Sequence, residues 1–152
     1  IDGLSLFGPT KDIVPVGIEL SNLDAIVENL ASELNIGLSR IPDYFSASQP
    51  FARSDQIAFA VAGIPAFLIM EGRQYRDVSP EEGLQRMIRW GETIYHTPFD
   101  DLNQAMDREA ARQHTQILLA IAGALLNTEE RIEWKPGTPY VNARLRSIAE
   151  ER

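Results

Sequence analysis

The sequence predicts an α/β fold, part of a layered arrangement with a mostly parallel sheet. Three observations carry this. Ile64-Pro65-Ala66-Phe67-Leu68-Ile69-Met70 is a continuous apolar run, and continuous rather than alternating apolarity suits a strand covered on both faces. A capped amphipathic helix precedes it, and a long helix follows from Asp107. Helices around such a strand argue for α/β rather than all-β. Only two core strands are legible, so the chain reads as part of a sheet.

The first strand is the end of Leu4–Phe7, closed by the turn Gly8-Pro9. Ser21, three residues before Asp24, predicts a helix cap, and Leu23, Ile26, Val27, Leu30 and Leu34 follow at helical spacing with Gly37 as the stop. Residues 39–52 are rich in turn formers and aromatics and read as a loop. Ser54 is placed to cap a short helix through Ile57, Phe59 and Val61 that ends at Gly63. The apolar run then begins, with Pro65 tolerated near its start. Ser79-Pro80-Glu81-Glu82 is a helix start, with a cap, a proline at the first helical position and acids on the positive end of the dipole; this helix carries Leu84, Met87 and Ile88 and finishes near Gly91. Asp107 caps the longest helix, which turns Ala110, Ile117, Leu118, Ile121 and Leu125 inward. A polar stretch with Lys135-Pro136-Gly137 leads to a short terminal helix.

The 152 residues carry 44% hydrophobic and 24% charged side chains, which suits one globular domain and excludes a disordered, collagenous or coiled-coil chain. A net charge of −8 repels phosphate backbones and anionic lipid, so nucleic acid and membrane surfaces are excluded as partners, whereas a cationic ligand such as a peptide's ammonium group is favoured. Without cysteine there is no disulfide frame and no thiol nucleophile.

Three places could carry chemistry. In Arg53-Ser54-Asp55, a guanidinium and a carboxylate meet at a loop-to-helix junction, suited to holding a polar ligand; the same residues also read as a cap, a dipole-facing acid and a solvated cation. Tyr95-His96-Thr97-Pro98-Phe99-Asp100-Asp101 offers an imidazole after a helix, a phenol beside it and acids behind it, as a metal ligand with acidic support and a hydrogen-bond donor would need. A plain turn leading into the next helix accounts for it equally. Asp2 leaves a strand end, where function gathers in open α/β sheets. His114 reads as surface or satisfied core, and Trp90 and Trp134 as packing.

Taken in order, Ile1-Asp2-Gly3-Leu4, Arg53-Ser54-Asp55, Ala62-Gly63-Ile64-Pro65-Ala66 and Tyr95-His96-Thr97-Pro98 resemble the M28 family of metallopeptidases, the co-catalytic zinc aminopeptidases. Trp134-Lys135-Pro136-Gly137 looks like the ending of some members. The resemblance implies a three-layer α/β/α sandwich of the zinc-peptidase type. It implies Asp2 and His96 as metal ligands, each on a different zinc and both at one rim of the sheet. It further implies Tyr95 as the phenol steadying the tetrahedral intermediate, Arg53 near bound substrate, and Asp55 and Asp100 as acids behind the ligands. Gln56 stands where members usually have a histidine, and Phe99 where an acid is common.

The family's remaining ligands and its glutamate base match nothing in this sequence. The expectation is therefore that residues 1–152 are the C-terminal portion of one catalytic domain, with two zincs in the complete enzyme and weak or no zinc here. Peptide substrate and the missing N-terminal half are the implied partners, with self-association through the face left bare. The parent activity implied is aminopeptidase or peptide hydrolysis by metal-activated water, the 152 residues alone being inactive. A glutaminyl-cyclase-like acyltransferase and a non-catalytic interaction domain are the alternatives. An extracytoplasmic location is implied by the resemblance alone.

Overall fold

The computed structural model describes residues 7–104 and 106–150. The expected first strand, apart from Phe7, lies outside them, as does Asp2. The described sheet has three short strands in the order β2-β1-β3: β1 Asp12–Val16, β2 Gly37–Leu38 and β3 Leu68–Glu71. Six α-helices and a 3-10 turn at Ile18–Leu20 complete the fold among the described residues: α1 Leu23–Glu33, α2 Asp43–Ser46, α3 Gln56–Val61, α4 Pro80–Thr93, α5 Arg108–Asn127 and α6 Val141–Glu150.

The α/β class is observed, and the sheet is mixed rather than mostly parallel. β1 pairs parallel to β2 (Asp12 opposite Gly37, Ile13 opposite Leu38) and antiparallel to β3 (Ile13 opposite Glu71, Val16 opposite Leu68). The central strand β1 is absent from the sequence-based expectation because Pro15 lies inside it. The ladder explains how Pro15 is accommodated. Gly72 N–H donates to Asp12 O, and Ser39 N–H donates to Ile13 O, so odd-numbered residues of β1 address β2. The next rung would need an N–H at position 15. Proline lacks it, and the parallel pairing ends after Leu38.

Both faces of the sheet are covered, as the apolar run predicts. On one face Ile13 and Ile69 pack with Val27 of α1 and with Ile117 and Ile121 of α5. All five are nearly fully buried, and burying such a side chain contributes about 1.5–3 kcal/mol. On the other face Val14, Val16 and Leu68 pack with Met70 of the same sheet and lie under Ile41 and Phe51. The second covering is thus largely loop, not the full helical layer of a three-layer sandwich.

Three local expectations are corrected. Ser21 does not cap α1; it is fully buried beside Trp134, and Asn22 takes the cap position. Gly37 does not stop α1, because Asn35 turns the chain first in the left-handed region (φ 51°), which frees Gly37 to enter β2. Ser54 does not cap α3, since its hydroxyl donates to Pro50 O at 3.0 Å. The run from Ile64 becomes strand only at Leu68, and α4 continues past Gly91 to Thr93. The other caps form as expected: Ser79 Oγ accepts from Glu82 N–H at 3.2 Å, and Asp107 Oδ1 from Ala110 N–H at 2.8 Å. Among the described residues no helix is long and apolar enough to cross a membrane.

Candidate active site

A cleft of about 400 Å³ lies against the sheet at Val14 and Leu68. Its floor includes Val14 of β1 and Leu68 and Met70 of β3; Met87 and Trp90 of α4 line it, as does the 39–54 loop. Arg53, Tyr95 and His96, singled out from the sequence, all line it. Their convergence is tertiary. β3 carries the chain to Glu71-Gly72-Arg73 at the cleft, and α4 leads on to Tyr95 and His96 at its C-terminal end.

The Tyr95-His96 turn is tightly specified. Tyr95 N–H donates to Trp90 O at 3.1 Å, which closes the end of α4. The Tyr95 ring lies 4.8 Å from that of Trp90 and stacks on the His96 imidazole at 3.8 Å between centroids, 23° from parallel. His96 adopts φ 58°, a conformation that costs a non-glycine residue about 1–2 kcal/mol. Asp100 helps to hold it there, its Oδ2 accepting from His96 N–H at 3.1 Å. This carboxylate therefore supports the candidate ligand through the backbone. Tyr95 is 42% exposed and lines the cleft.

Arg53 is exposed at the cleft wall. Its loop is tied down by Gln56, which is buried and donates from Nε2 to Phe51 O at 2.6 Å and Pro50 O at 3.3 Å. Gln56 thus has a structural task on the backbone leading to Arg53. Asp55 is not brought to the cleft. It lines a second hollow between Phe59, Phe67 and Leu125, of about 550 Å³, away from Tyr95 and His96.

The sequence reading missed further cleft residues. Glu71 ends β3 and Arg73 stands two residues past it, and strand ends are where function gathers; that placement was the available signal. Tyr75 is buried and its hydroxyl reaches Glu71 Oε1 at 3.5 Å. Burial, reinforced by the Glu71 and Asp12 carboxylates, drives its phenol far above the ordinary tyrosine range, so it remains a donor at every physiological pH. His114 of α5 also lines the cleft, buried, and its desolvation pushes its pKa below the usual histidine value. Trp90 packs on Tyr95 rather than only filling a gap. Trp134, buried, donates from Nε1 to Gly63 O at 3.1 Å.

A catalytic zinc takes three protein ligands and a structural one four. Among the described residues no group of three or more His, Asp or Glu side chains could hold a metal ion. His96 is one candidate ligand, Asp2 lies outside the described residues, and what remains does not by itself fit a metal centre.

The α/β scaffold thus places an imidazole, a phenol and a guanidinium around one cleft. Residues 2–122 match the model of peptidase family M28, and the chain belongs to that family. Membership supports a peptidase, a hydrolase of peptide bonds, as its general function. Neither a curated protein nor a solved structure matches the chain.

Proposed function

We propose that this chain contributes to the active site of a zinc-dependent aminopeptidase. In this reading the 400 Å³ cleft holds the first residues of a peptide. The Tyr95 hydroxyl donates a hydrogen bond to the scissile carbonyl oxygen as negative charge develops there, an interaction that strengthens in the transition state. Arg53 orients the peptide from the loop side. His96 is one metal ligand and Asp2 another; bound zinc would supply Lewis acidity and lower the pKa of water. The remaining ligands and the general base come from outside the described residues. The observation that carries the proposal is the convergence of Arg53, Tyr95 and His96, distant in sequence, on one cleft at the end of β3.

The test is hydrolysis of aminoacyl-anilides by the full-length protein, with zinc titrated in and then stripped by a chelator. The expected result is zinc-restored cleavage that His96→Ala abolishes while circular dichroism is unchanged. Full activity in His96→Ala, or no cleavage by a metal-loaded protein, would refute it. The second outcome favours an interaction domain.

A further inference from the structure

The charge of the cleft opposes that of the chain. The protein carries −8 overall, with 22 acids against 14 basic residues. Yet Arg40, Arg53 and Arg73 all line the cleft, and Glu71 is the one carboxylate lining it among the described residues. They come from three separate places: past β2, ahead of α3 and past β3. Of the eight other arginines in the described residues, four are paired locally: Arg86 with Asp77 and Glu82, Arg112 with Glu109, and both Arg131 and Arg144 with Glu133. None of the three cleft arginines has an ion-pair partner among the described residues. The field of Arg73 reaches Glu81 on α4 without a contact. Burial favours the neutral form of His114, so the arginines supply the positive charge on this side.

Around them the walls are apolar, with Phe45, Met70 and Met87 among the lining. Low-dielectric walls concentrate the field of like charges in a cleft and raise the local concentration of an oppositely charged ligand. Arginine also suits a carboxylate in particular, because its planar fork can donate two parallel hydrogen bonds to both oxygens. We propose that this cleft selects peptides bearing a carboxylate beside the residue it binds, using Arg40 and Arg73 together with Arg53. This inference rests on the peptidase reading for its substrate. The carboxylate has two sources, the free C-terminus of a dipeptide or an acidic side chain.

Two pairs of isosteric peptides separate those sources: Leu-Leu against Leu-Leu-amide, and Leu-Asp-amide against Leu-Asn-amide. Both kcat/KM and calorimetric affinity are measured on the full-length protein with zinc added. The acid member of at least one pair is expected to exceed its neutral partner by about tenfold, and the pair that shows it identifies the source. That ratio should fall toward one in Arg73→Gln and Arg40→Gln, fall only partway in Arg73→Lys, which keeps the charge but not the fork, and shrink as salt screens the charges. A ratio within about twofold of one in both pairs, or one that neither glutamine variant lowers, overturns the inference. Should one variant unfold by circular dichroism, the other variant and the salt series decide. Preference in affinity without cleavage keeps the inference and rejects the peptidase reading. Cleavage without preference does the reverse.

Discussion

Gly63→Ala tests how the Gly63-Ile64-Pro65-Ala66 turn is held, since that turn launches β3 toward the cleft. Gly63 has φ +88°, in the left-handed region that follows helix α3. A Cβ there would lie 2.5 Å from Arg144 N, 2.6 Å from Arg144 Cα and 2.7 Å from Ala143 C. These are backbone atoms of α6, so no rotamer change relieves the clash. The left-handed backbone costs alanine about 1–2 kcal/mol, and forcing α6 away costs about 1–3 kcal/mol more. Reduced freedom of the unfolded alanine chain returns about 0.4–1 kcal/mol. The net loss is about 1–4.5 kcal/mol, a sizeable share of the about 5–15 kcal/mol that a domain has in total.

Urea denaturation followed by circular dichroism reads this directly. A fall in Tm of roughly 2–18 °C should accompany it, at about 2–4 °C per kcal/mol for this chain length. A second background in which α6 is deleted separates the terms. There the alanine should retain only its backbone cost. A loss below about 0.5 kcal/mol in the intact chain, or an identical loss with and without α6, would refute the packing argument.

Three further outcomes follow from individual residues. Tyr95→Phe, which keeps the ring stack on Trp90 and His96, should lower kcat by about 10²–10³-fold with little change in KM, as expected for a donor acting in the transition state; stopped-flow anilide assays check it, and an unchanged kcat would remove Tyr95 from the chemistry. Asp107→Ala removes the carboxylate that accepts from Ala110 N–H and should cost about 0.5–2 kcal/mol of stability in urea, whereas Asp107→Asn should cost less. His114 has a folded pKa below its unfolded value, so the unfolded chain binds the proton more readily; stability should therefore fall as pH drops through the ordinary histidine range toward the depressed value, and His114→Gln should flatten that part of the profile in pH-dependent melts.

The α/β class, the helix starts at Ser79 and Asp107 and the stop at Gly63 were legible in the sequence, because each depends on groups within a few residues of one another. A side-chain oxygen reaches an amide three positions on, and a glycine takes a positive φ, whatever surrounds them. Arg53, Tyr95 and His96 could be singled out by residue type and order, although nothing local says that they meet. Tertiary structure decided the rest. β1 is hidden in sequence by Pro15 and revealed only by its partners, since a ladder tolerates proline where no neighbour needs its N–H. Ser21 and Ser54 resemble caps, yet the burial of one beside Trp134 and the bond of the other to Pro50 use them elsewhere. The direction of β3 and the gathering of Arg40, Arg53 and Arg73 around one cleft depend on long-range pairing. Charge along a chain is additive, but the field inside a cleft is set by which charges folding brings together and which it leaves unpaired.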